Sequence, residues 1–321
     1  MWNRSDDQES VPASPERLPG VIDTIGIGYE TLLSRPWLIV PPVLLDLYLW
    51  LGVHITSRPL SLSLAGWLRK QDLTSGRVAS FVEDTWIDNV TELAVLRMPS
   101  TRLPSFVSTL SGDAWRLEQL QPSLSIGSWS VVALGLLMLV VGLLIASEYL
   151  QAIASAVCGL KRAPGAGAGR GAIRLASWYL VIGALALLVF WPVLAGLVAS
   201  EMAGAGTSVW LFLLLFLPAS WAFVLFFFSI QAMFIDQSGP LQALRSSYRV
   251  VRNDSWNALG MIVAYVLLTT GFPQVWRMLI EQPAGVAVAI VGHAIISTGV
   301  IAATMVFYRD RMRRISAAGH A

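Results

Sequence analysis

Asp46, Glu148 and His293 are ionisable residues that stand inside otherwise apolar stretches of this chain. An aspartate at the centre of a membrane helix costs about 2.5–3.5 kcal/mol on insertion scales. Such residues are therefore rare in spans, face the bundle interior and often mark a site. Asp46 lies near the middle of the first apolar stretch, and His293 lies in the last one, toward its outer side. If those two helices are neighbours, carboxyl and imidazole come within a hydrogen bond or one water, which is the chemistry of a small transporter or channel. The same pair also fits a structural role, bonded to Ser, Thr or backbone. Glu148 falls near the inner end of the second stretch, where a lipid-headgroup enzyme at the cytoplasmic face would need it. A second set, Arg245, Arg249 and Arg252, shares the segment 239–253 with Leu241, Leu244, Tyr248 and Val251. That pattern describes an amphipathic helix lying at the membrane surface. Its arginines are candidate lipid-headgroup contacts, each worth about 1 kcal/mol on anionic lipid.

No nucleotide-binding P-loop, nucleophile elbow, HExxH or EF-hand pattern occurs. His54, His293 and His320 show no metal-ligand spacing. Cys158 is the single cysteine, which excludes an internal disulfide; it lies among the small residues Ala154, Ser155 and Ala156. Gly167, Gly169 and Ala172 match a dinucleotide fingerprint in form, but that motif works only between a strand and a helix. Here it joins two apolar stretches and reads as a flexible loop. No catalytic residue, cofactor or metal is expected.

The elements that must position these residues are six apolar stretches at 37–56, 129–149, 173–199, 209–235, 256–273 and 285–308. A hydrocarbon core about 30 Å thick needs about 20 helical residues, and backbone in lipid must satisfy its own hydrogen bonds. Composition agrees: 55% of the 321 residues are hydrophobic and 13% charged, against about 25% charged in soluble domains. The net charge of +2 gives no reason to expect nucleic acid. Membrane lipids are the expected partners, with another membrane protein or a second copy of the chain beside them.

Positive charge marks one side. Lys161, Arg162, Arg170 and Arg174 follow the second stretch, Arg245, Arg249 and Arg252 the fourth, and Arg309, Arg311, Arg313 and Arg314 the sixth. The intervening turns hold only Glu201, and Arg277 beside Glu281. The positive-inside rule then places both termini in the cytoplasm. Residues 1–19 read as a disordered cytosolic tail and 20–321 as one membrane domain. Within it, 57–126 forms an extracytoplasmic helical insertion with amphipathic pieces at 60–68, 76–96 and 113–120. Trp37, Trp178 and Trp256 are expected at the inner interface and Trp129, Trp210 and Trp276 at the outer one. Trp50, Trp191 and Trp221 are expected in packing. Pro192 and Pro218 are expected to kink their helices, and Pro41 and Pro42 to mark a local break. Gly20, Tyr29 and Trp37 recur as Gly239, Tyr248 and Trp256 at a constant offset of 219, suggesting two related surface helices that each turn into a span. The expected fold class is all-α: a polytopic bundle of six transmembrane helices with interfacial amphipathic helices and a small helical outer insertion.

The run 239–268, GPLQALRSSYRVVRNDSWNALGMIVAYVLL, resembles the membrane domain associated with bacterial glycerophosphodiester phosphodiesterases and related six-helix bacterial membrane proteins. The stretch 151–162, ending CGLKR, and the closing FYRDRMRR are similar to the same group. The resemblance implies a helical bundle in the bacterial plasma (inner) membrane. It does not imply phosphodiesterase activity, which would require a separate barrel domain with paired His and clustered carboxylates.

Overall fold

The computed structural model describes residues 18–51, 54–56, 62–63, 66–67, 69–70, 103–107, 123–125, 128–160, 165, 167–202, 209–280 and 282–318. Most of the insertion, including the expected helices at 76–96 and 113–120, lies outside the described residues, as does the tail 1–17.

The chain enters through α1, Val21–Ser34, and turns at Arg35 into a 3-10 turn, Pro36–Ile39, and α2, Val40–Leu51. Steric pressure from Pro36 pushes Arg35 out of the helical region, to φ −140° and ψ 68°. The axis turns by 99° there. Pro41 and Pro42 follow in the first turn of α2, so the break expected from them falls at Arg35 instead. Short parallel strands β1, His54–Thr56, and β2, Ser123–Ser125, pair at the two ends of the insertion and close it as a loop. Then come α3, Ser128–Val157, α4, Ala168–Met202, α5, Val209–Phe226, and α6, Ser229–Ile235. After α7, Pro240–Asn253, the chain runs through α8, Ser255–Val266, a π-helical turn, Leu267–Gly271, and α9, Phe272–Trp276. The last helix, α10, is Pro283–Ala318. Five helical stretches are long and apolar enough to cross a membrane, and the bent pair at Arg35 is a sixth candidate.

Helix α10 is the axis of the bundle. Every residue from 297 to 308 is buried, as expected of a helix surrounded by others. Polar ties lock its neighbours to it and to each other. Tyr149 of α3 meets Thr298 at 2.9 Å, and the Gln231 amide of α6 donates to Thr304 at 3.0 Å. Phe228 stacks on Phe307, and the Trp178 indole of α4 donates to Ser229 at 3.0 Å. Trp178 is thus a buried core residue and not an interfacial anchor. Trp191 and Trp221, expected in packing, are 68% and 62% exposed. Together with Leu180 and Leu188, both 74% exposed, they belong to an apolar outer surface far larger than soluble monomers carry. Trp37 and Trp256 are exposed as expected of anchors.

Helix assignment runs through Pro192 and Pro218. The interruption in the 209–235 stretch falls instead at Phe227 and Phe228, between α5 and α6. Ser247 of α7 repairs it: its hydroxyl donates to the Leu225 carbonyl at 2.7 Å and accepts the Phe228 N–H at 3.1 Å.

The repeat is geometric as well as sequential. Helices α1 and α7 both have 14 residues, and each begins after a glycine in extended conformation: Gly20 at −63°, 174° and Gly239 at −75°, 166°. They end at Arg35 and Asp254, whose angles are −140°, 68° and −141°, 59°. All these boundaries keep the offset of 219. The buried stripe corresponds too, Thr24, Gly28 and Leu32 in α1 against Ala243, Ser247 and Val251 in α7.

Candidate functional site

Asp46 is fully buried on α2, and its partners come from the insertion. The Ser105 hydroxyl donates to one carboxyl oxygen at 2.5 Å, and the Val107 N–H donates to the same oxygen at 3.3 Å. The Phe106 N–H donates to the other at 2.9 Å. Residues 103–107 are tucked into the bundle, where Phe106 and Val107 pack against Val286, Ala289 and Ile290 of α10. The arrangement answers the cost of a carboxyl in apolar surroundings, because both oxygens accept from backbone.

His293 does not bond Asp46. Its Nε2 meets the Ser297 hydroxyl at 3.2 Å, one turn along the same helix. Its ring lies 6.0 Å from the Phe106 ring, so Phe106 links the pair, backbone on Asp46 and ring on His293. Among the described residues, His293 Nδ1 has no hydrogen-bond partner. The expected approach of the two side chains through one water or a direct bond is therefore replaced by a wedge of apolar chain.

Glu148 belongs to a different place, at the start of α4. Its Oε1 accepts the Gly165 N–H at 2.8 Å, Ser147 donates to the Ala168 carbonyl at 2.9 Å, and Gln151 to the Gly167 carbonyl at 3.3 Å. Gly165 and Gly167 take φ of 77° and 96°, a region open to glycine, and the loop expected to be flexible is held at these points by α3. These contacts position the α3–α4 connection; among the described residues they tie Glu148 to the Gly165 backbone. Among the described residues no three His, Cys, Asp or Glu side chains come together as a metal would need.

The end of the bundle that carries α1 and α7 holds a linked set of polar and charged side chains. Arg311, 2% exposed, donates to Asp254 at 3.2 Å and to the Pro19 carbonyl at 3.0 Å, with its guanidinium 3.8 Å above the Phe307 ring. It therefore ties the entry of α1 to the exit of α7. Tyr308 donates to Asp236 just past α6. Burial pushes the Asp236 carboxyl above its usual range, while Tyr308 and the Arg249 charge pull the other way. Sequence reading missed Asp236 and Tyr308; the available signal was an acid closing an apolar stretch beside an arginine-rich helix.

Arg245, Arg249 and Arg252 are all exposed on α7. Leu244 and Val251 are buried, Leu241 and Tyr248 largely exposed. Arg245 and Arg249 line a groove of about 580 Å³ with Phe226, Leu241, Leu244 and Tyr248. Arg252 is not in its wall. The sequence thus brings two of the three arginines to the edge of one concave surface whose lining is mostly apolar. A comparison with family models, curated proteins and solved structures finds no match to the chain.

Proposed function

We propose that this chain is a multi-pass protein of a bacterial inner membrane, with both termini cytoplasmic, that works toward lipid as a membrane-organising or accessory subunit. The observation that carries this reading is α7 itself: three exposed arginines, no Asp or Glu in the helix, and apolar residues on the side that meets the bundle. Such a helix, held to the bundle through the buried Ser247 and followed by the exposed Trp256, suits contact with anionic headgroups. The likeness of 239–268 to bacterial membrane domains supports the same placement. The three hydrogen bonds on Asp46 argue for a structural task there and against a proton-coupled transport site. The α3–α4 ties made by Glu148 argue likewise against a headgroup enzyme centred on it.

Reconstitution into vesicles of graded phosphatidylglycerol content tests the proposal. Wild type should gain thermal stability with anionic lipid and lose that gain in high salt. Replacing Arg245, Arg249 and Arg252 with Gln together should remove most of the dependence, at about 1 kcal/mol per arginine. A triple variant with the wild-type lipid dependence would reject the reading.

A further inference from the structure

We infer that the groove between α7 and the end of α5 holds one anionic phospholipid, its phosphate between Arg245 and Arg249 and one acyl chain along Phe226, Leu241 and Leu244. The inference rests on the lipid-facing reading above and goes further, from a charged surface to a defined ligand with a fixed stoichiometry.

Charge complementarity is the first argument. Arg245 and Arg249 are four residues apart on one helix, an arrangement in which like charges repel. Among the described residues Arg245 makes no ion pair, and α7 has no acid of its own to relieve the repulsion. The Asp236 carboxyl that feels Arg249 is already taken by the Tyr308 hydroxyl. A phosphate satisfies both guanidinium groups at once, with charge-assisted hydrogen bonds. The absence of an acid on the helix also leaves nothing there to receive the ammonium of a zwitterionic headgroup.

Shape and depth make the second. The groove is of ligand size, within the 300–1,000 Å³ usual for small-molecule sites. Its apolar wall includes Phe226, the last residue of α5, and its two arginines lie on α7. A phospholipid seated there would lay its chain on the apolar wall and set its phosphate at the arginines. Trp256, just beyond α7, is 86% exposed, the exposure an interfacial tryptophan needs.

The repeat supplies an internal control. At the offset of 219, Arg245, Arg249 and Arg252 correspond to Gly26, Glu30 and Leu33 in α1. Tyr248 corresponds to Tyr29, whose hydroxyl reaches the Ile296 carbonyl at 3.2 Å and whose ring lies on Gly299. One helix therefore closes on α10, and the other keeps three exposed arginines, two of them at the groove.

Native mass spectrometry of the full chain, released from mild detergent after exposure to phosphatidylglycerol or phosphatidylcholine, reads the site directly. Wild type should retain one phosphatidylglycerol and at least tenfold less phosphatidylcholine. The double change Arg245→Gln with Arg249→Gln should lower retention at least tenfold. Leu241→Trp, which fills the groove and leaves every charge in place, should do the same without altering the salt-dependent vesicle preference. Arg252→Gln and Glu30→Gln should retain lipid as wild type does. Inorganic phosphate alone should not displace the lipid, whereas a short-chain phosphatidylglycerol should. Retention that survives both groove variants, equal retention of the zwitterionic lipid, or displacement by inorganic phosphate overturns the inference. If vesicle preference still depends on the three arginines in that event, the lipid-facing reading stands without the groove.

Discussion

Gly28 and Ser247 occupy the same position of the two corner helices and do opposite jobs. Gly28 lies so close to α10 that a Cβ there would come within 2.6 Å of the Ala303 backbone nitrogen. Ser247 instead reaches outward from its helix to the broken turn between α5 and α6, bonding Leu225 and Phe228. One repeat packs by removing a side chain and the other by using one.

The two positions should therefore not be interchangeable. Gly28→Ser forces atoms into a filled interface and should cost about 1–3 kcal/mol. Ser247→Gly leaves the buried Phe228 N–H and the part-buried Leu225 carbonyl without this partner, at about 1–3 kcal/mol. Thermal unfolding of the detergent-solubilised protein measures both, and a neutral result for either variant would remove its half of the account.

Asp46 gives the next prediction. Its two oxygens each accept from a backbone N–H, so the pattern needs two acceptors. Asn offers one acceptor and one NH2 group, which would face a donor with a donor. Asp46→Asn should thus destabilise by about 1–3 kcal/mol, contrary to what isosterism alone suggests, and Asp46→Leu by at least as much. A second substitution at Ser105 removes only one of the three donors and should not rescue the leucine variant, because the Phe106 and Val107 donors are backbone. Limited proteolysis should also cut near residues 103–107 faster in both variants. Unchanged stability and cleavage in Asp46→Asn would show that the three bonds contribute little.

How far the residues announced this structure depends on the range of each interaction. The corners at Arg35 and Asp254, the amphipathic α7 and the repeat follow from local signals: glycine, proline, tryptophan and the 3.6-residue period. The partner of Asp46 does not, because it arrives from a segment 59 to 61 residues away that has no period of its own. Trp178 and Trp191 exchanged their expected places for another reason. Lipid chains are as apolar as the core, so hydrophobicity alone cannot say which face of a span points inward. The break at Phe227 and Phe228 was similarly silent, since it is held by Ser247 from another helix and not by Pro218.

Orientation is open to direct measurement. In a Cys158→Ala background, Ser75→Cys within the insertion should react with an impermeant maleimide in intact cells, and Gly167→Cys only after permeabilisation. The reverse pattern would invert the whole topology and move α7 to the outer leaflet. Cys158 itself should label slowly in the parent chain at neutral pH, because burial raises its thiol and lowers the thiolate fraction.

The last prediction concerns Asp236, held above its usual range by burial against the pull of Tyr308 and Arg249. A carboxyl raised in the folded state binds its proton more tightly there than in the unfolded chain. Its contribution to stability is therefore complete below about pH 3.9, the unfolded value, and is lost as pH rises through the folded value. Asp236→Asn keeps an acceptor for the Tyr308 hydroxyl but does not titrate. The difference in melting temperature, wild type minus Asp236→Asn, should fall as pH is raised from about 3.5 toward neutrality. Arg249→Gln removes the positive charge that favours the ionised form, so the same fall should extend to higher pH in that background. Parallel pH profiles for wild type and Asp236→Asn would mean that Asp236 titrates alike in both states, and that Tyr308 and Arg249 together cancel its burial.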